Sequence, residues 1–228
     1  MPKPSPITYF DHEGSENLAV VLRVIKKTLQ RRPELRSCKL VFLTAEGRGP
    51  ALAYNLLAEY EQKIIAVTFS PSFCIRREGR LIHPQISPKA KKFFQGVGIP
   101  VLTSRLPFSP IGGIDSSLSA SLKVINNVFA VFGGSVPLAV QAILQACDMG
   151  SLEVGEIAIV ATGDSAMIVS ASSSELFLSP DRGLSVLEFL CKPRIFDITR
   201  QSRATYDQRA KNEEGSKAVT IEAEANSK

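Results

Sequence analysis

The chain has 228 residues, a mass of 24.7 kDa and a formal net charge of +5, and one α/β domain can fill this length. Hydrophobic residues make up 44% of the sequence and charged residues 21%, so the chain can bury a sizeable core and is not disordered as a whole. The four cysteines are far apart and form no CxxC pair, and there are two histidines. The sequence therefore predicts neither a zinc framework nor a disulfide scaffold, and it fits a reducing compartment.

The amino-terminal segment has no apolar signal core, and no stretch approaches the roughly 18 apolar residues of a membrane-spanning helix. We therefore expect a cytoplasmic protein without a membrane partner. The basic residues are scattered among 22 acidic ones. A net charge of this size bears on the solubility of the protein more than on the kind of partner it binds. There is no Trp, and no aromatic residue is interleaved among the basic residues of segment 23–36, so we expect no nucleic-acid binding.

Short apolar runs alternate with amphipathic stretches, which predicts an α/β fold with three layers: a mostly parallel sheet between two layers of helices. The first half of the chain predicts strands at 7–10, 39–44, 63–69 and 99–103, and helices at 16–31, 50–60 and 88–95. The first helix has apolar residues at three- and four-residue spacing and ends before Pro33. The segment 104–117 is rich in Pro and Gly and is predicted to be a functional loop.

Further helices are predicted at 118–132 and 137–149, and strands at 156–161 and 166–171. The last two strands are close enough to form a hairpin, which predicts an antiparallel strand at the edge of the sheet. Segment 184–191 fits either a short helix or a strand. Residues 1–197 are thus expected to form one ligand-binding domain, and the polar residues 198–228 a disordered tail.

A strand that runs through a glycine-containing loop directly into a helix predicts an anion site. The loop contains Thr44, Glu46, Gly47, Arg48 and Gly49. Glycines allow the backbone to approach a ligand, and the unpaired N–H groups and partial positive charge of a helix start favour phosphate. Thr44 and Arg48 add a hydroxyl and a guanidinium. An ordinary strand-to-helix turn explains the same pattern, because neither the third glycine of a dinucleotide motif nor a Walker lysine is present.

Polar residues follow three other predicted strands, where ligands bind in open α/β sheets. These candidate residues are Ser70, Ser72 and Phe73 after the strand at 63–69, Thr103, Ser104 and Arg105 at the end of the strand at 99–103, and Thr162, Gly163, Asp164 and Ser165 after the strand at 156–161. Together they predict a set of neutral donors and two arginines suited to a phosphate and sugar hydroxyls. A polar hairpin turn is an equal explanation for residues 162–165.

No catalytic group can be assigned from the sequence. Neither histidine has an adjacent nucleophile or carboxylate, there is no GxSxG motif, and the aspartates lack the spacing of metal ligands. Cys74 lies near Arg76 and Arg77, but a loop cysteine without a partner is more often inert. We therefore predict no metal site, find no support for a hydrolase, and leave open whether the protein is an enzyme.

The order of several short motifs resembles small stand-alone proteins similar to the C-terminal domain of pyruvate kinase. The resemblance covers about residues 7–194. The motifs are Ile7-Thr8-Tyr9-Phe10, Leu43-Thr44-Ala45-Glu46-Gly47, Ala66-Val67-Thr68, Val101-Leu102-Thr103, Gly150 to Gly155, Ala161-Thr162-Gly163 and Cys191-Lys192-Pro193-Arg194. It implies a three-layer α/β/α domain with a mostly parallel sheet.

In pyruvate kinase that domain is not catalytic and binds a sugar-bisphosphate effector. Stand-alone proteins of this kind bind flavin mononucleotide. The resemblance therefore implies a phosphate held by Thr44, Gly47, Arg48 and Gly49, with Thr162 and Gly163 in the last ligand loop. The sequence departs from the pattern at residues 70–73, where a histidine-containing stretch is usual, and in the short loop that begins at Thr162.

Two functions follow as expectations. The first is a cytosolic protein that binds a phosphorylated small molecule, flavin mononucleotide, with Phe73 or Phe108 covering a face of the ring and no assigned reaction. The second is a sensor or interaction module without a redox cofactor, which binds a sugar phosphate or a nucleotide. Homo-oligomerisation is compatible with either, and the sequence sets no number of copies.

Overall fold

A seven-stranded sheet with helices on both faces forms the body of the chain. A computed structural model of the protein describes residues 6–77, 80–109 and 116–196. The strands in these ranges are β1 (Thr8–His12), β2 (Lys39–Leu43), β3 (Ile64–Phe69), β4 (Ile75–Arg77), β5 (Arg80–Ile82), β6 (Val101–Ser104), β7 (Ile157–Ala161), β8 (Ala166–Ser170) and β9 (Ser185–Ile195). The α-helices are α1 (Leu18–Arg31), α2 (Arg48–Leu56), α3 (Pro88–Val97), α4 (Ser116–Ala130) and α5 (Val136–Asp148).

The sheet has the strand order β1-β9-β8-β7-β2-β3-β6. All neighbours are parallel except β8, which runs antiparallel to both β7 and β9. The hairpin β7–β8 is therefore confirmed, but the predicted position of its second strand at the sheet edge is wrong. The segment that fitted either a helix or a strand is β9, and β9 and β1 extend the sheet beyond β8, so that β8 is internal.

Alternation along the strands divides the core into two parts. One face packs against α1, α2 and α3, and the other against α4 and α5. The predicted apolar stripe of α1 is confirmed, because Leu18, Val21, Leu22, Ile25 and Leu29 are all buried. The strands predicted at 39–44 and 63–69 are also confirmed, as β2 and β3, and both lie inside the sheet.

The segment between β3 and α3 contains a short antiparallel hairpin, β4–β5, where the sequence predicted neither a helix nor a strand. Pro110, Gly112 and Gly113 of the predicted functional loop, and residues 198–228 of the predicted tail, lie outside the described residues. Within the described ranges, no helix is both long and apolar enough to cross a membrane.

Candidate functional site

Four neighbouring strands bring the predicted site segments to one edge of the sheet. In spatial order β7, β2, β3 and β6 lie side by side and run parallel, so their carboxyl ends share an edge. Thr162, Thr44 and Ser70 follow the first three strands directly, and β6 itself ends at Ser104. The predicted segments are thus adjacent in space although they are far apart in the sequence.

The loop after β2 ends in the amino terminus of α2. Gly47 precedes the helix with a left-handed backbone, at φ 92°, and its N–H donates to Thr44 Oγ1 at 3.0 Å. No side chain caps the helix, and across the described ranges the N–H groups of Arg48 and Gly49 make no hydrogen bond. Arg48 is exposed. These unpaired donors and the guanidinium are the groups that an anion would use.

The two glycines of this loop are in contact with the protein itself. A Cβ atom at Gly47 would lie 2.8 Å from the Cβ atom of Ala90, and one at Gly49 would overlap the ring of Phe42. Left-handed backbone and close packing therefore account for both glycines, whereas the sequence pattern suggested close approach by a ligand. The groups at this loop that favour an anion are the helix amides and the positive side chains.

The amino terminus of α3 lies beside that of α2. The backbone N–H of Ser87 donates to the Glu46 carbonyl at 3.3 Å, and the Ser87 hydroxyl accepts from the Ala90 N–H at 3.2 Å. Neither helix has an acidic residue in its first turn. Instead, Arg48 begins α2, and the exposed Lys89 lies in the first turn of α3. Positive side chains at a helix start oppose the helix dipole, and no carboxylate in either first turn offsets them.

A row of threonines crosses the sheet next to these helix starts. Leu43 pairs with Val67, which places Thr44 beside Thr68, and Thr68 pairs with Thr103. By alternation all three side chains lie on the face that α2 and α3 cover. Thr68 is 4% exposed, and its hydroxyl has no hydrogen-bond partner. Thr68 was not among the site residues predicted from the sequence, although a count of every second residue along β3 places it beside Thr44.

Two phenylalanine rings lie at the carboxyl end of β3. Phe69 and Phe73 stack with ring centroids 4.6 Å apart and an angle of 12° between the planes, and both residues are half-buried. The turn between them is closed by a hydrogen bond of 3.1 Å between the Ser70 and Ser72 hydroxyls. The alternative ring, Phe108, is 4% exposed and stacks on Phe129 inside the core, so it is not accessible to a ligand.

Two buried glutamines of α5 hold the segment that follows β6. Gln145 Nε2 donates to the Arg105 carbonyl at 3.0 Å, and Gln141 Oε1 accepts from the Phe108 N–H at 2.7 Å. Both glutamines are 1% exposed. Neither glutamine was predicted to be a site residue, because a polar residue on a helix is usually a surface residue. Their role is to fix the backbone that presents Ser104 and Arg105.

The turn between β7 and β8 is a closed hydrogen-bond network. Thr162 Oγ1 lies 3.0 Å from Ser135 Oγ and accepts from the Ser165 N–H at 3.1 Å. The Asp164 carboxylate is 6% exposed and accepts from the Ser135 hydroxyl and, at 3.0 Å, from the Gly14 N–H. Because Ser135 precedes α5 and Gly14 precedes α1, the network ties the starts of two helices to this turn.

The predicted site residues therefore fall into two groups. Leu43 belongs to the part of the core that packs against α4 and α5, and it lies beside Thr162 in the sheet. Thr44 lies on the opposite face, beside α2. No hydrogen bond or ion pair joins residues 162–165 to residues 44–49 in the described chain. The polar side chains after β7 hydrogen-bond to one another and to neighbouring segments, and so stabilise the fold. Within the described residues, some of the polar groups after β2 and β3 have no hydrogen-bond partner.

Two concavities of about 240 and 380 Å³ lie at the opposite edge of the sheet, where β2, β3 and β6 begin. Both include Gln62 and Ile64 in their walls. No predicted site residue lines either one. Within the described ranges, no group of three or more His, Cys, Asp or Glu side chains could hold a metal ion.

Comparison with known proteins gives no assignment. No protein-family model matches the sequence, and no curated protein matches it at a significant level. The resemblance to the C-terminal domain of pyruvate kinase thus remains a prediction from motif order. The mixed α/β architecture with a mostly parallel sheet flanked by helices is observed.

Proposed function

We propose that the protein binds a phosphorylated small molecule at the adjoining starts of α2 and α3, and that the ligand is flavin mononucleotide. The observation that carries this proposal is the positive charge of the two helix starts, where Arg48 and Lys89 stand in first turns without an acidic residue. The exposed Glu46 is the nearest negative charge in the sequence. We assign no reaction to the protein.

A phosphate would relieve an unfavourable arrangement of charges. The amino terminus of a helix carries a partial positive charge, so cations there destabilise it by a few tenths of a kcal/mol up to about 1 kcal/mol each. A dianion would interact favourably with both helix starts and with Arg48, and it would accept from the free Arg48 and Gly49 N–H groups.

The stacked pair Phe69 and Phe73 supports an aromatic ligand in addition to the phosphate. The pair lies at the end of β3, next to β2 in the sheet, and aromatic rings stack favourably on planar ring systems. Phe69 packs on the face that α4 and α5 cover, so a ligand that contacts both the pair and the start of α2 would cross the edge of the sheet. In this proposal Phe73 contacts the isoalloxazine ring, Ser70 and Ser72 face its polar edge, and Thr103, Ser104 and Arg105 border the ribityl chain. Residues 162–165 would then stabilise the edge from the other face.

The proposal is tested with the full-length protein in two measurements. The absorbance spectrum of the purified protein shows whether a flavin is bound, and the melting temperature is then measured with added flavin mononucleotide, riboflavin or inorganic phosphate. Ligand at a hundred times its Kd stabilises the folded state by about 2.7 kcal/mol. We expect stabilisation by flavin mononucleotide well above that by riboflavin, which lacks the phosphate.

A colourless protein whose melting temperature responds to none of the three probes would contradict the proposal. Stabilisation by sugar phosphates or nucleotides but not by flavin would instead select the second candidate, a sensor or interaction module without a redox cofactor. One observation favours that candidate: the hydroxyls and carboxylate of the loop after β7 hydrogen-bond to one another, which leaves fewer free groups for a large ligand.

A further inference from the structure

Helix α4 has apolar residues on two of its faces, and the described protein covers one of them. Leu122, Ile125 and Phe129 pack against the core. On the other side, Val124, Val128 and Val131 are 60%, 55% and 60% exposed; Val131 lies just past the end of the helix. These three residues are called the valine stripe below. Contiguous exposed apolar patches mark interaction surfaces.

The spacing of the valine stripe is that of a helix-packing seam. Its residues are separated by four and then three positions, which is the alternation of the d and a positions in a coiled coil. β-Branched residues at such positions favour close packing of two helices. The stripe is flanked by uncharged residues, among them the exposed Asn127, and Lys123 is the single charged residue between positions 116 and 132.

We propose that the valine stripe binds the valine stripe of a second copy of this chain, across a two-fold axis. A two-fold interface brings the same surface of both copies together, so a charge near the axis would repel the same charge of the other copy. This stripe carries none, which makes it self-complementary. A membrane surface is a poorer partner, because interfacial helices have many Lys or Arg residues on their polar face, and α4 has one lysine.

The size of the stripe sets the strength of the contact. Three valines and the rim residue Phe132, which is 49% exposed, make a smaller surface than the roughly 800 Å² per partner of a standard stable interface. We therefore expect monomer and dimer to exchange with concentration, rather than a permanent dimer. This inference concerns the α4 face and does not depend on the ligand proposed above.

Sedimentation velocity of the full-length protein from about 1 μM to about 1 mM tests the proposal. We expect the weight-average mass to rise from the monomer towards the dimer over this range. Val128→Glu should raise the dissociation constant by about 100-fold or more, because it places two carboxylates opposite each other in a dry contact. Val128→Thr, which keeps the shape of the side chain, should weaken the dimer in the same direction.

The matched control is Val154→Glu, since Val154 is an exposed valine outside α4, at 39% exposure. It should dimerise like the unaltered protein. Thermal melting of every variant at low concentration verifies that it folds. A protein that stays monomeric over the whole range would overturn the proposal, and it would mean that residues 197–228 or another protein cover the stripe. A Val128→Glu variant that folds and dimerises normally would overturn it as well.

Discussion

The Gly49 backbone lies directly against the ring of Phe42, so that any side chain at position 49 would overlap the ring. Phe42 is 1% exposed and belongs to β2, the strand that leads into this helix. The strand and the first turn of α2 are therefore locked together by a contact that only glycine permits. This contact fixes the direction of the free N–H groups in the first turn of α2. It therefore links the packing of the core to the candidate anion site.

Gly49→Ala should destabilise the fold. The added methyl group must displace the Phe42 ring or the start of α2, and overpacking of this kind costs about 1 to 3 kcal/mol. Chemical denaturation measures the loss. The matched control is Gly96→Ala within α3, where a Cβ atom would meet nothing within 4 Å. That change should stabilise the protein by up to about 1 kcal/mol, because alanine favours helix more than glycine does. Equal effects of the two substitutions would contradict the packing argument.

Arg48→Ala tests the assignment of the phosphate. Loss of one charge-assisted contact should lower the affinity for flavin mononucleotide by about 1.5 to 3 kcal/mol, measured by calorimetric titration or by quenching of flavin fluorescence. Arg23→Ala, on the exposed face of α1, serves as the control and should leave affinity unchanged. If the flavin binds as tightly to Arg48→Ala as to the unaltered protein, the phosphate lies elsewhere.

The layers of the fold could be predicted from the sequence because they depend on local patterns. The α1 stripe repeats with the helical period, and β2 and β3 are continuous apolar runs typical of a buried parallel sheet. The position of β8 could not be predicted in the same way. It depends on β1 and β9, which come from opposite ends of the chain and pair only in three dimensions.

The candidate site was predicted in its location but not in its chemistry. The rule that ligands bind at the carboxyl ends of strands placed Thr44, Ser70 and Thr162 on one edge. The role of each residue depends on contacts that no local pattern encodes. The pattern Gly47-x-Gly49 does not reveal that Phe42 and Ala90 lie against the glycines, and a Thr-Gly-Asp-Ser turn does not reveal that Ser135 approaches from another helix.

Asp164→Asn should loosen the network between β7 and β8. The carboxylate accepts from the Gly14 N–H and from the Ser135 hydroxyl, and an amide has a single acceptor oxygen, so one of these bonds is lost or reversed. We expect a loss of about 1 to 3 kcal/mol in the free energy of unfolding. The control is Asp181→Asn in the exposed loop before β9, with an expected change below about 0.5 kcal/mol. A stability loss at Asp181 as large as that at Asp164 would count against the network.

The Cys191 thiol should make stability fall at alkaline pH. Burial raises the pKa of this thiol to about 12, and its residue is 0% exposed, whereas an unfolded cysteine titrates near pH 8.5. A folded-state pKa above the unfolded one gives stability that is complete below about pH 8.5 and is lost as the pH rises towards 12. In that window the unfolded chain releases a proton that the folded chain retains, at a cost on the order of 1 kcal/mol per pH unit.

Cys191→Ala removes this dependence and therefore provides the measurement. At pH 7 the variant should be less stable than the unaltered protein by about 1 kcal/mol, since the missing sulfur leaves a small cavity. Between about pH 9 and about pH 11 this deficit should shrink and then reverse, because only the unaltered chain loses stability through proton release at position 191 on unfolding. Val169→Ala, which also leaves a cavity at a buried position, should keep a constant difference from the unaltered protein at every pH, because valine does not titrate. A deficit for Cys191→Ala that stays constant up to the highest pH would show that the buried thiol does not control the alkaline transition.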